Sequence, residues 1–112
     1  MKKLLWLDDI RNPFIYTWLY QYAPGFKGEV IWVKSYGEFI DWIQENGLPY
    51  MIAFDHDLGE DMSGFDCSKW LVDYCIDNNL DLPRWVVQSA NPVGRDNING
   101  LLNNFNKVRS SK

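Results

Sequence analysis

The stretch Lys3-Leu4-Leu5-Trp6-Leu7-Asp8-Asp9 decides the fold: an apolar run breaks off on two adjacent carboxylates. A short continuous apolar run without polar alternation is the pattern of a parallel strand buried on both faces. Glu29-Val30-Ile31-Trp32-Val33 repeats it, as does Tyr50-Met51-Ile52-Ala53-Phe54, which ends on Asp55-His56-Asp57. A fourth run, Arg84 to Gln88, follows Leu82-Pro83 and leads into Ser89-Ala90-Asn91.

Helical spacing fills the intervals. Asn12-Pro13 offers an N-cap with proline at the first helical position. Phe14, Ile15, Trp18, Leu19 and Tyr22 then recur at helical period until Pro24-Gly25. Ser35 and Glu38 form a capping-box pattern ahead of Phe39, Ile40, Trp42 and Ile43, and Gly47 supplies the stop. A helix over 64–78 buries Phe65, Trp70, Leu71, Tyr74 and Cys75, and a last one uses Ile98, Leu101, Leu102 and Phe105. Strict alternation of strand and helix predicts a three-layer α/β domain with a parallel sheet of about four strands in the order 2-1-3-4. Helices are expected on both faces. At 112 residues the chain reads as a single domain, 1–112, with a frayed tail from about residue 108.

The bulk properties exclude several classes. A net charge of −4 argues against wrapping a long duplex, which requires phosphate neutralisation by Lys and Arg. A small phosphorylated nucleotide or an RNA end remains compatible, because two or three cations and a metal suffice there. No run is long enough to span a membrane, and no signal-length apolar stretch opens the chain, so the expected location is the cytoplasm. Cys67 and Cys75 stand two turns apart on one helix, a rise of about 12 Å, too far for a disulfide. Both read as reduced packing residues.

In open parallel sheets, ligands bind beyond the carboxyl ends of the strands, where the chain order reverses. Asp8-Asp9, Asp55-His56-Asp57 and Gln88-Ser89-Ala90-Asn91 all fall at that edge. Each Asp alone fits a turn or a cap equally well; their convergence points to a site. Two carboxylates about 4 Å apart repel by roughly 4 kcal/mol at an effective dielectric near 20. Several at one edge must therefore raise their pKa values, spread into solvent or hold a cation. Hard oxygen ligands suit Mg²⁺ or Mn²⁺, with Asp9 and Asp55 as direct ligands and Asp8 helping through water. His56, flanked by two aspartates, is a candidate for proton transfer with Asp57, although strand alternation could also turn it away from both. Ser89 and Asn91 are candidate donors to a phosphoryl oxygen, Gln88 a candidate ligand contact, and Arg11 and Arg95 candidate phosphate clamps.

These blocks resemble the receiver fold of bacterial two-component signalling. On that likeness Asp8 and Asp9 match its acidic pair, Asp55 its phospho-accepting position and Ser89 its hydroxyl. The lysine that such domains carry after a fifth strand has no counterpart. Leu7-Asp8-Asp9-Ile10-Arg11-Asn12-Pro13, Phe54-Asp55-His56-Asp57-Leu58-Gly59 and Ser89-Ala90-Asn91-Pro92-Val93-Gly94 together are more similar to a divergent group, the cyclic-phosphate processing receiver domains. That resemblance implies a receiver-like (flavodoxin-like) fold and action on cyclic phosphates at RNA ends or on related nucleotides. Gln88 stands where this group tends to carry His. Three functions follow as alternatives: a metal-assisted hydrolase of cyclic phosphates using Asp55, His56, Asp57 and Ser89; a nucleotide-binding module without turnover; and a phospho-accepting receiver.

Overall fold

The computed structural model describes residues 1–15 and 17–110. Its core is a parallel sheet of β1 (Lys3–Leu7), β2 (Glu29–Val33), β3 (Met51–Phe54) and β4 (Arg84–Val87) in the order β2-β1-β3-β4. Right-handed crossovers explain the layering. The chain moves one way from β1 to β2, then returns past β1 to β3 and β4. The first crossover helix, α1 (Trp18–Tyr22), therefore lies on one face, and α2 (Tyr36–Asn46) and α3 (Gly64–Asn78) on the other. The reversal falls between β1 and β3, so Asp8 and Asp55 leave the sheet side by side.

The two faces are unequally covered. Leu5, Leu7, Val33, Ile52 and Phe54 pack under Phe39 and Ile43 of α2, Cys67, Leu71 and Cys75 of α3, and Ile98 and Leu102 of α4 (Pro92–Ser110). The opposite side chains, Leu4, Trp6 and Ala53, pack among the described residues against Trp18, Leu19 and Tyr22 of the five-residue α1, together with Ala23, Phe26 and neighbours on the sheet. Burial pushes the Cys75 thiol up to about 11 and raises that of Cys67 as well, so both free cysteines are packing groups rather than nucleophiles.

Local signals set the long helices. Ser63 caps α3 in a reciprocal box with Asp66, and the Ser63 N–H holds the Asp66 carboxyl below its ordinary range. Ser35 caps α2 through Glu38 N–H, but the Glu38 carboxylate accepts from Lys34 N–H, one residue before the expected partner.

Two expectations need correction. The helix expected from Asn12-Pro13 starts only at Trp18. Asn12 spends its side chain on Phe14 N–H (2.8 Å) and its carbonyl on Ile15 N–H (3.3 Å), closing a turn instead. Phe14 and Ile15 are 65% and 48% exposed, so no core draws a helix there; Tyr16 lies outside the described residues. The tail expected to fray from about residue 108 is helical to Ser110, because Arg109 reaches back to Asp81 and Asn79. Residues 111–112 lie outside the described residues. Among the described residues, no helix is long and apolar enough to cross a membrane.

Candidate functional site

Asp8 organises the loop that leaves β1. It is fully buried, and its Oδ1 accepts the N–H groups of Ile10 (2.9 Å) and Arg11 (2.8 Å) in a tight turn. Its Oδ2 accepts from Arg11 Nη1 (3.3 Å) and Gln88 Nε2 (3.2 Å). Two indoles fasten the same loop: Trp32 Nε1 donates to the Asp8 carbonyl and Trp6 Nε1 to that of Arg11. These rings are register partners on β1 and β2, so one cross-strand pair ties the loop down. Nothing in their spacing marks them as more than core residues.

Carboxylate oxygens of Asp8, Asp9 and Asp55 lie within 4.8 Å of one another. Arg11 Nη1 reaches into this group, 3.0 Å from the Gln88 carbonyl and 3.9 Å from Asp55 Oδ1, while its guanidinium stands 5.2 Å from the centre of the Trp18 ring. Asp55 is nearly buried, and its pKa rises from 3.8 to about 7. Burial is the largest cause and Asp8 the next; Arg11 opposes them, Asp9 adds repulsion, and the His56 N–H lowers the value again. One guanidinium thus leaves three gathered carboxylates short of positive charge. The donor set is all hard oxygen, and the cluster can accommodate a divalent cation.

Gln88 lies beneath the carboxylates, wholly buried. Its amide nitrogen also donates to the Leu7 carbonyl (3.2 Å), and among the described residues its Oε1 has no partner. Such an acceptor is costly unless a donor or cation meets it.

The remaining candidates sit around this centre. His56 Nδ1 is 2.9 Å from Asp57 Oδ1, so the imidazole pairs with Asp57, itself 70% exposed, and is not turned away from it. The ring packs against Gly94 of α4, where a Cβ would collide with the imidazole. Gly64 serves the same purpose below, since a side chain there would run into the Asp55 carbonyl. Ser89 Oγ accepts from Asn91 N–H (3.0 Å) and Asn91 Oδ1 from Gly94 N–H (3.1 Å), so both spend an oxygen on starting α4. The Ser89 hydroxyl proton and the Asn91 amide N–H groups remain as donors. Arg95 is exposed in the first turn of α4, and no ion pair engages it among the described residues.

Gly94→Ala is expected to push the imidazole out of its seat and lower stability by about 1–3 kcal/mol, the usual cost of overpacking. Urea unfolding measures the loss, and His56 ring resonances by NMR report the displacement. An unmoved imidazole in the variant would show that Gly94 does not seat it.

No curated protein is significantly similar to the chain. A solved chain described as a yeast Spc42 trimeric coiled-coil, amino acids 181–211, fused to another structure superimposes with a TM-score of 0.61 at 20% identity. The match covers 89% of this chain and 63% of that one, so this chain spans less than two thirds of that fusion's length; the likeness is one of fold alone. The model of the cyclic-phosphate processing receiver domain matches residues 3–104, and with the acidic cluster at the carboxyl edge of its sheet the chain belongs to that family.

Proposed function

We propose that the chain hydrolyses a cyclic phosphate on a nucleotide derivative or an RNA end with the help of a divalent cation. The observation that carries this reading is the gathering of Asp8, Asp9 and Asp55 within 4.8 Å around a single guanidinium. Asp9 and Asp55 would hold Mg²⁺ or Mn²⁺. Asp8, with both oxygens already taking hydrogen bonds, positions the β1 loop and contributes through charge. A bound cation would polarise the phosphoryl group and acidify a water molecule.

Opening the ring forms one P–O bond to water and breaks one P–O bond to the ribose. The departing ribose oxygen takes a proton, leaving a phosphomonoester and a hydroxyl. With its Nδ1 proton donated to Asp57, His56 has Nε2 as its basic atom, suited to taking the proton from water and returning it to the ribose oxygen. Ser89 and Asn91 orient the phosphate with their remaining donors, and the start of α4 favours the anion. Arg11 and Arg95 are the cations for the outer phosphoryl oxygens.

Incubation with 2′,3′-cyclic nucleotides, cyclic-phosphate RNA ends and ADP-ribose cyclic phosphate is expected to yield a phosphomonoester in Mg²⁺ or Mn²⁺ and none in EDTA. No metal-dependent product from any of them would sink this reading. Gln88 favours a second one, binding without turnover. The position where relatives tend to carry His here holds a buried amide committed to Asp8 and Leu7, and it supplies no titratable group. A stoichiometric thermal shift with no product selects it.

A further inference from the structure

The opposite end of the sheet carries a second polar feature with the reverse charge. Lys2 and Tyr50 immediately precede β1 and β3, and Arg84 opens β4, so all three stand at the amino end of the sheet. Together with Phe26 and Lys27 of the α1–β2 turn they border a groove of about 730 Å³, floored by Met51 and Val86. This is the part of the sheet face that the short α1 leaves open.

Among the described residues, three cations and no acidic residue line this groove in a chain of net charge −4. None of the three is ion-paired to a carboxylate among the described residues. Two of them rest on an aromatic ring instead: Lys2 Nζ is 4.5 Å, and Arg84 Cζ 5.4 Å, from the centre of Tyr50. Phe26 lies beside that ring at 6.5 Å. Cations held over rings, rather than by carboxylates, are available to an incoming anion.

We propose that this groove binds a short single-stranded stretch of nucleic acid, independently of the acidic site. Lys2, Lys27 and Arg84 take the phosphates, and drawing Lys2 and Arg84 from Tyr50 uncovers its face for a base. Cations interleaved with aromatic faces match an alternation of phosphate and base, whereas an acidic peptide would use the charges and leave the rings idle. The volume falls in the range of small-ligand sites and fits one or two nucleotides rather than a duplex.

Fluorescence anisotropy with a labelled oligouridylate of about ten nucleotides, in EDTA and low salt, tests the assignment. Binding is expected without any divalent cation and should weaken steeply as salt rises. Lys27→Ala and Arg84→Ala, both at exposed positions, should each weaken it about five- to tenfold, and Tyr50→Ala by about tenfold. The Lys27 and Arg84 variants should turn over cyclic nucleotides as the native chain does, so failure here and failure of the acidic site are separable. Absence of binding in EDTA, or equal binding by these variants, overturns the proposal. Equal competition by polyglutamate overturns it in favour of an acidic peptide.

Discussion

Asp55→Asn is expected to unfold at a higher temperature than the native chain at pH 8 while losing metal binding and cyclic-phosphate hydrolysis. The native carboxyl has its pKa raised from 3.8 to about 7, chiefly by burial and by Asp8. A shift of that size corresponds to a penalty on the order of 4 kcal/mol for holding the charged form in the fold. The folded protein keeps a proton on Asp55 that the unfolded chain has released, so native stability falls as pH rises from about 4 to 7 and is level above. An amide carries no such penalty. The variant's advantage is therefore absent near pH 3, opens between pH 4 and 7, and amounts to about 2–4 kcal/mol at pH 8, a Tm rise on the order of 10 °C. Thermal unfolding across this range, with titration calorimetry in Mg²⁺, measures both halves. Full hydrolysis by the variant would remove Asp55 from the mechanism; a flat difference in stability across pH would remove the charge argument.

The same opposition of burial and charge makes both the strands and their ends legible in the sequence. The strands were readable because Leu4 to Leu7 and Met51 to Phe54 are apolar runs that tolerate only burial. Their ends were readable because Asp cannot continue such a run without compensation. The reversal between β1 and β3 then followed from handedness, and with it the meeting of Asp8, Asp9 and Asp55. The first helix was misread for a reason rooted in the site. Asn12 and Arg11 each have a competing use, one closing a turn and the other entering the acidic cluster, and tertiary demand overrode helical spacing. Periodicity over Phe14 to Tyr22 carries no information about that competition. The three-dimensional jobs of Gly94, Trp6 and Trp32 were likewise hidden, since close approach and indole donors depend on what lies opposite.

Arg11 matters most where the sequence offers least to identify it. The sequence presents it as a candidate phosphate clamp, one cation among several, yet its Nη1 lies 3.3 Å from Asp8 Oδ2, 3.0 Å from the Gln88 carbonyl and 3.9 Å from Asp55 Oδ1. A cation from the β1 loop thus enters the acidic group at the end of the sheet. Removing one member of a largely buried ion cluster costs about 3–5 kcal/mol, because the charges left behind lose their counter-ion. Arg11→Ala is expected to lose that much at pH 8. At pH 5 the loss should shrink, since Asp55 is protonated there and needs less compensation, though Asp8 still loses one of its donors. Arg11→Lys should fall between the two, as an ammonium on a flexible stem has to reach the one point from which Nη1 meets both Asp8 and the Gln88 carbonyl. The same imbalance makes the variant a sensor for the cation site. With the guanidinium gone, millimolar Mg²⁺ should raise the Tm of Arg11→Ala by more than it raises that of the native chain, because a cluster short of positive charge binds the cation more tightly and linkage converts that affinity into stability. Denaturation at pH 5 and pH 8, with and without Mg²⁺, reads all of this in one experiment. If the variant is as stable as the native chain at pH 8, Arg11 is not the counter-ion of the cluster. If its Tm ignores Mg²⁺, the three carboxylates hold no cation, and the metal-assisted reading of the site falls.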